Sequence, residues 1–210
     1  MHIPDGFLAP RIWVALDAAA VPALAWCARR SRGRLEETRV PLLGVMGAFL
    51  FAAQMINFPV APGASGHLVG AALLAALFGP HTAALVMAAI LLVQALLFSD
   101  GGITALGANF WNLGMIGCFV GWLPGALSLR FGGRVRLPAV FFGAWLAVVA
   151  GSLAVAAELA WSGVAPPAVL FASLAGVHAV TGLAEGALTV AALRMVEKLN
   201  PALARSAGAS

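Results

Sequence analysis

The stretch Pro138–Trp161, PAVFFGAWLAVVAGSLAVAAELAW, holds one ionisable side chain, Glu158, in 24 positions. About 20 predominantly apolar residues in a helix suffice to cross the hydrocarbon core of a bilayer. This run therefore reads as a membrane-spanning helix. Comparable runs recur, and the spacing predicts segments at 11–29, 41–58, 67–79, 82–99, 108–129, 138–161 and 168–194. The chain of 210 residues is 62% hydrophobic and 10% charged, and its mean hydropathy is +0.98. A soluble domain of this size has too much surface for that composition. Gly, Ala, Ser and Pro are frequent within the runs, which suits helices, and the alternating short segments of a barrel are missing. The expected fold is all-α: one integral membrane domain, residues 1–210, with about seven transmembrane helices. The third run, 67–79, is short for a simple span and is bounded by Pro62-Gly63 and Gly79-Pro80. Tilt, an extension at one end, or shielding by neighbours would each accommodate it.

Lys and Arg set the orientation. Arg29, Arg30, Arg32, Arg34 and Arg39 follow the first run, Arg130, Arg134 and Arg136 follow the fifth, and Arg194, Lys198 and Arg205 follow the last. If all seven runs cross, these lie on one side and only Arg11 on the other. Basic loops stay cytoplasmic. The amino terminus, residues 1–10, is thus expected outside and the tail, 195–210, in the cytoplasm, with the chain in the plasma membrane. The net charge of +4 is spread over short loops, a topology signal and not the concentrated basic face of a nucleic-acid reader.

The external side then collects Met1 to Pro10, the 59–67 loop, the 99–107 loop and the 162–167 link. It contains His2 and His67. The start, Met1-His2-Ile3-Pro4-Asp5-Gly6-Phe7-Leu8, has no basic run before its first apolar stretch, so it does not resemble a cleaved signal peptide, and its terminus is expected to be kept. Either histidine alone reads equally well as a solvated loop residue. Position two differs because a terminal amine accompanies it. That amine, the backbone nitrogen of His2 and its imidazole can chelate one ion through small fused rings. A further imidazole, His67, would complete a plane of four nitrogens, a geometry suited to Ni(II) or Cu(II) and compatible with Co(II). Ile3-Pro4 stiffens the exit from such a site, and Gly63-Ala64-Ser65-Gly66 allows close backbone approach. A ligating histidine needs a partner for its other ring nitrogen. Ser65, Asp100, Asn109 and Asn112 are the candidates, with Gln54 and Asn57 in the same polar group.

Asp17, Glu158 and Glu185 are acids within apolar runs, and such residues are functional candidates by default. His178 and Glu185 share a helix face two turns apart. A polar network that fixes helix register is favoured over a proton relay. His81 reads as a solvated or helix-starting residue. Cys27 and Cys118, with no CxxC, read as packing residues. The small faces Gly44/Gly47/Ala48 and Gly114/Gly117/Gly121/Gly125 suit close helix contact, either internal or with a membrane partner.

Several blocks together resemble the CbiM/NikM family, the substrate-binding membrane subunits of cobalt and nickel energy-coupling factor transporters. They are the start Met1–Leu8, Asn57-Phe58-Pro59-Val60, Ser65-Gly66-His67-Leu68-Val69-Gly70, Val93–Gly102, Ala105–Asn109 with Asn112, and His178–Gly186. The resemblance covers most of the chain, in order. It implies a near-planar metal site formed by the terminal amine of Met1, the amide and imidazole of His2, and His67. It also implies a transported Co(II) or Ni(II) substrate with no resident cofactor, and a transmembrane coupling subunit with cytoplasmic ATPase subunits as partners. A small accessory membrane subunit is an optional further component. Four planar nitrogens favour nickel, whereas overall similarity leans to the cobalt branch.

No GxxxxGK[ST], HExxH or GxSxG occurs. The chain is therefore expected to be a non-catalytic subunit, with ATP hydrolysed elsewhere. The rival reading is a gradient-driven secondary cation transporter using Glu158, His178 and Glu185. A purely structural assembly subunit is a third.

Overall fold

The computed structural model describes residues 1–33, 39–131 and 135–199. Arg34, Arg134 and Arg205, used above for orientation, lie outside the described residues. Seven helices are present among the described residues, apart from a short 3-10 turn. They are α1 Pro10–Ser31, α2 Val40–Gln54, α3 Ala71–Phe78, α4 Pro80–Leu97, α5 Leu106–Ser128, α6 Arg136–Trp161 and α7 Pro167–Leu199. Five of them, α1 and α4 to α7, are long and apolar enough to cross a membrane. Large side chains such as Val21, Leu97, Trp161 and Val180 remain exposed on their outer faces, a surface that suits lipid and not water. Pro10, Pro80 and Pro167 open α1, α4 and α7, where proline forfeits no helical hydrogen bond.

The third apolar run resolves into shielding. Helix α3 has 8 residues, about 12 Å at 1.5 Å per residue, too short to span alone. Nearly all of it is buried. Its closest neighbour is the small-residue face of α5: a Cβ on Gly117 would lie 2.8 Å from Ala71 Cβ, and one on Gly121 2.7 Å from Ala72 Cβ. Gly125 meets Val140 of α6 in the same way. This face therefore serves internal packing. On α2 the face divides: Gly44 has no neighbouring atom within 4 Å of its Cβ position, whereas a Cβ on the buried Gly47 would lie 3.2 Å from Val86 Cγ1 of α4. Helices α6 and α7 pack antiparallel, with Gly182 against Trp145, Gly186 against Phe141, and Trp145 Nε1 donating to the Ala179 carbonyl at 2.9 Å.

The second run differs from its expectation of helix to residue 58. Helix α2 stops at Gln54, and a hairpin follows: β1 Phe58–Ala61 and β2 Ala64–Gly66, paired antiparallel with Phe58 opposite Gly66. Phe58 precedes Pro59, and the proline ring pushes the residue before it out of the helical region. Gly63 turns the hairpin at φ +77°. The fold is thus mostly helical with one short hairpin. At the other extreme, α7 continues through residue 195 to Leu199, and residues 200–210 of the expected tail lie outside the described residues.

Two helices depart from regular winding. Gln94–Phe98 at the end of α4 and Phe110–Ile116 within α5 are π-helical, a widening often found at functional sites. Both lie at the end of the bundle where the amino-terminal arm, the hairpin, the 99–105 loop and the 162–166 turn meet. There Ala9 N–H donates to Ser162 Oγ at 3.0 Å, and the Gly63 turn packs on Phe7 and Leu159. Arg29, Arg30, Arg130 and Lys198 belong to the opposite end, where Arg136 pairs with Glu197. His81, also there, is the second residue of α4, as a helix-starting residue should be, and sits edge-on to Trp26 and Phe119 at 4.6 and 5.1 Å, half-buried between the rings.

Gly143 of α6 faces the Gly121 carbonyl oxygen of α5, backbone on backbone. Gly143→Val is expected to cost about 3 kcal/mol, because no rotamer relieves that collision. A thermal melt in detergent reads the loss, and Gly44→Val at the open position of α2 should leave the melt unchanged.

Candidate metal centre

Residues 1–3 run into the interior of the bundle. Met1, His2 and Ile3 are all buried. An extended segment there must find partners for its backbone groups. Asn109 supplies two: Ile3 N–H donates to its Oδ1 at 2.8 Å, and its Nδ2 donates to the Ile3 carbonyl at 3.0 Å. Gly102 N–H donates to the same carbonyl at 2.8 Å. Gly102 must lack a side chain, since a Cβ would lie 2.7 Å from the Pro4 carbonyl carbon and 2.6 Å from Asp5 Oδ1. Asp5 in turn accepts from Ile103 N–H, Thr104 N–H and Thr104 Oγ1 at 3.0, 2.7 and 2.5 Å. The Met1 side chain ends on Gly151 of α6, its Cε 3.1 Å from the Cβ position. Gly151 is ten residues from the Trp161 end of α6, so the site sits about 15 Å below that rim.

His67 meets this segment from the other side. The Met1 amine lies 2.5 Å from His67 Nε2, and His67 Nδ1 lies 2.8 Å from the Leu68 carbonyl. A carbonyl only accepts, so Nδ1 carries the proton and Nε2 presents its lone pair to the amine. The 67–70 segment is itself fixed. Glu185 of α7 accepts Val69 N–H at 2.8 Å and Gly70 N–H at 2.6 Å, and Gln54 of α2 donates to the Val69 carbonyl at 2.7 Å. The rings of His2 and His67 stack with centroids 4.4 Å apart. His2 Nδ1 lies 3.3 Å from Asp100 Oδ1, off the line of a hydrogen bond, and neither ring nitrogen of His2 has a hydrogen-bond partner among the described residues. Buried polar atoms are rarely left so.

Burial makes the site a set of lone pairs. It lowers the Met1 amine from 8.0 to about 4, with Asp100 pulling the other way. It lowers His2 against the pull of Asp100. It holds His67 well below its ordinary value, assisted by the charges of the amino terminus, His2 and His178. Burial pushes Asp100 up, but the His2 ring and the Asn57 amide outweigh it and the carboxyl is lowered. One amine and two imidazoles are thus proton-poor at neutral pH beside one carboxylate. No group of three or more His, Cys, Asp or Glu that could hold a metal occurs among the described residues.

The other sequence candidates separate. Asp100 faces His2. Asn109 holds the Ile3 backbone and not an imidazole. Asn112 instead donates to Glu158 Oε2 at 2.8 Å, between α5 and α6. Ser65 Oγ is buried with no hydrogen bond among the described residues. His178 Nδ1 bonds the Leu174 carbonyl at 2.8 Å, and its Nε2 is buried without a partner. Asp17 accepts Gly107 N–H at 2.6 Å. Cys27 and Cys118 are free and buried. Sequence reading passed over Gln94, whose Nε2 donates to Gln54 Oε1 at 3.1 Å. The signal was a glutamine inside the apolar run Leu91–Phe98.

The long apolar helices are those of a multi-pass membrane protein, and comparison with known proteins places it in the metal-transport class. The family model described as the cobalt uptake substrate-specific transmembrane region, CbiM, matches residues 2–203, and the chain belongs to that family. It is 36% identical over 205 residues to a putative metal transport protein of Haloquadratum walsbyi, covering 97% of this chain and 93% of that one. It is 35% identical over 206 residues to a putative fused nickel transport protein, NikMN, of Archaeoglobus fulgidus, covering 96% of this chain and 67% of the relative. A crystal structure of a truncated transition metal transporter superposes with a TM-score of 0.88 at 31% identity, over 94% of this chain and 99% of that one.

Asn109→Leu leaves the Ile3 N–H buried and unpaired, which should cost about 2 kcal/mol. Hydrogen exchange at Ile3 is expected to accelerate well before the helices lose protection. The amine supplies a pH test. Its folded value is depressed from 8.0 to about 4, so the released segment binds more protons than the docked one between those limits. Docking therefore strengthens as pH rises from 4 to 8 and weakens as it falls. Exchange protection at Ile3 measured along that range should climb with pH, once corrected for intrinsic exchange.

Proposed function

We propose that this chain is the substrate-capture subunit of an ATP-driven uptake system for cobalt or nickel, with the metal held by Met1, His2 and His67. The observation that carries the reading is the buried Met1 amine 2.5 Å from His67 Nε2, beside a His2 ring whose nitrogens have no partner. The amine, the His2 amide and the His2 imidazole would close two fused rings on one ion, and His67 would add the fourth nitrogen. Borderline metals that accept planar nitrogen sets, Ni(II) and Co(II) among them, fit this donor set. The family description names cobalt uptake and one relative's name specifies nickel, and the site chemistry accommodates both.

Charge supports the same reading. Ligation displaces the proton of the His2 amide. A divalent ion on that anion leaves one net positive charge in a buried place. Asp100, 3.3 Å from His2 Nδ1, supplies the compensating charge that a buried ion requires.

Seven crossings with the amino terminus outside agree with the gathering of basic residues at the end away from the site. In this arrangement α2 and the shielded α3 complete the crossings of the five long helices. The metal then loads from outside, and inward release needs work from separate subunits: a transmembrane coupling protein and cytoplasmic ATPases, with a small accessory membrane subunit as an optional component. Relatives named as fused transport proteins support a multi-component system. Rocking of the whole subunit by those partners would carry the ion inward.

Titrating Ni(II) and Co(II) into the purified protein with a native amino terminus, beside a form carrying one extra residue before Met1, tests the ligand set. One-to-one binding that falls at least 100-fold in the extended form is expected. Equal binding in both forms would exclude the amine and return attention to Glu158, His178 and Glu185, the residues of a gradient-driven carrier. A second expectation separates the two readings. Because Glu185 holds Val69 and Gly70, Glu185→Gln should weaken metal binding in detergent, where no gradient exists. A carrier that used Glu185 only for protons would lose uptake yet keep its binding.

A further inference from the structure

Gly151 is a glycine with no reason in its own backbone. It lies well inside α6, and its φ is not among the left-handed ones that favour glycine. Glycine in the middle of a helix is less favourable than alanine. The positions one turn away on the same face, Ala147 and Val155, carry side chains and are buried with it. What a side chain at 151 would meet is the first residue of the chain. Its Cβ would lie 3.1 Å from Met1 Cε, 3.6 Å from Met1 Sδ and 3.2 Å from the Asn112 carbonyl oxygen of α5. That carbonyl is itself fixed, since Gly117 N–H donates to it in the π-helical part of α5. The missing Cβ therefore leaves a notch between two helices, and Met1 fills it with no exposed surface at all.

We propose that this notch is a socket for the Met1 side chain, which sets the rotation of the first residue and so presents the terminal amine to the metal beside the His2 amide nitrogen. The first residue has one backbone rotation that moves its amine, the one about its Cα–C bond, because the peptide that follows is planar. That rotation carries the side chain with it. The hydrogen bonds at Ile3 hold the strand but act beyond this bond. Seating the side chain at Gly151 fixes it. Chelation by the amine and the His2 amide nitrogen requires both on one side of the Cα–C bond, so a residue 1 already seated spares the ion an ordering cost. Methionine suits the task, being unbranched and able to fill an irregular space. The nitrogens alone then do not define the site: a terminus with the same four nitrogens and no side chain to seat is a poorer ligand. Gly151 is a positioning residue, acting through Met1. The proposal rests on the metal-capture reading above, but the seating itself is measurable without metal.

The test compares the wild type with Met1→Ala, each released from a leader by a protease that cuts directly before residue 1, so that both keep a free amine and every nitrogen donor. Hydrogen exchange at Ile3 is followed in metal-free protein in detergent, with the amides of α6 and α7 as the control for folding, and Ni(II) is then titrated. Met1→Ala is expected to accelerate exchange at Ile3 about 10–100-fold and to lower Ni(II) affinity by a similar factor, the scale set by burying one methionine side chain. Gly151→Ala narrows the socket behind a native first residue and should give a smaller loss in both readouts, because the flexible end of Met1 can partly give way. Met1→Ala should then cost less in the Gly151→Ala background than in the wild type, since the contact it removes is already impaired. If Met1→Ala disturbs the helices, Gly151→Ala alone carries the test. Exchange at Ile3 that matches the wild type in the variant tested, even where Ni(II) affinity falls, overturns the socket and makes the sulfur a ligand instead. Equal costs of Met1→Ala in the two backgrounds overturn it as well. Exchange that changes as described in protein that binds no Ni(II) upholds the socket and overturns the metal-capture reading.

Discussion

Everything at the functional end depends on one requirement: three residues of extended backbone, buried among helices, must have their N–H and C=O groups satisfied. Helices and closed sheets meet this requirement internally, and an isolated strand does not. Asn109 solves it with a single side chain that donates and accepts in parallel to Ile3, and Gly102 completes the carbonyl. The amide of asparagine copies the edge of a peptide group, so Ile3 is paired as if beside another strand. The absence of a side chain at Gly102 permits this approach, and Asp5 ties the same loop from outside. Register is therefore fixed at Ile3, and the positions of Met1 and His2 follow from it.

The same logic governs the facing segment. Residues 67–70 lie between a hairpin and a short helix and have no regular partner of their own. Glu185 accepts two consecutive N–H groups and Gln54 donates to the carbonyl between them. An acid and an amide buried within an apolar bundle would be costly unpaired, and here each is consumed in holding backbone. The Asn112–Glu158 pair does comparable work between α5 and α6. The polar residues of the spans thus act as an internal frame, and the two irregular strands hang from it with His2 and His67 in contact.

Much of this was legible in the sequence. The long helices follow from length and hydropathy, which the bilayer imposes with little room for alternatives. His2 and His67 could be paired because the topology argument assigned both to one face, and the structure brings their rings together. The hairpin was hidden because Phe58–Val60 continues an apolar run, and only the proline at 59 marks the change. Asn109 and Asn112 could not be told apart, since spacing on one helix face says nothing of which neighbour each meets. Glu185 was visible as a buried acid, but its role is set by backbone 115 residues away in sequence. Gln94 was missed because a single amide in a run of leucines carries no periodic signal.

The partners of residues 1–3 have a consequence for how the molecule is assembled. They lie at positions 67, 102, 109 and 151, so each contact closes a loop of some tens to more than a hundred residues. Loop closure on that scale is slow and follows the formation of local helices. The leading residues are thus expected to settle last, against segments that the other helices have already placed. Until then the helical bundle lacks the contacts at positions 67, 102, 109 and 151 that fix its first three residues.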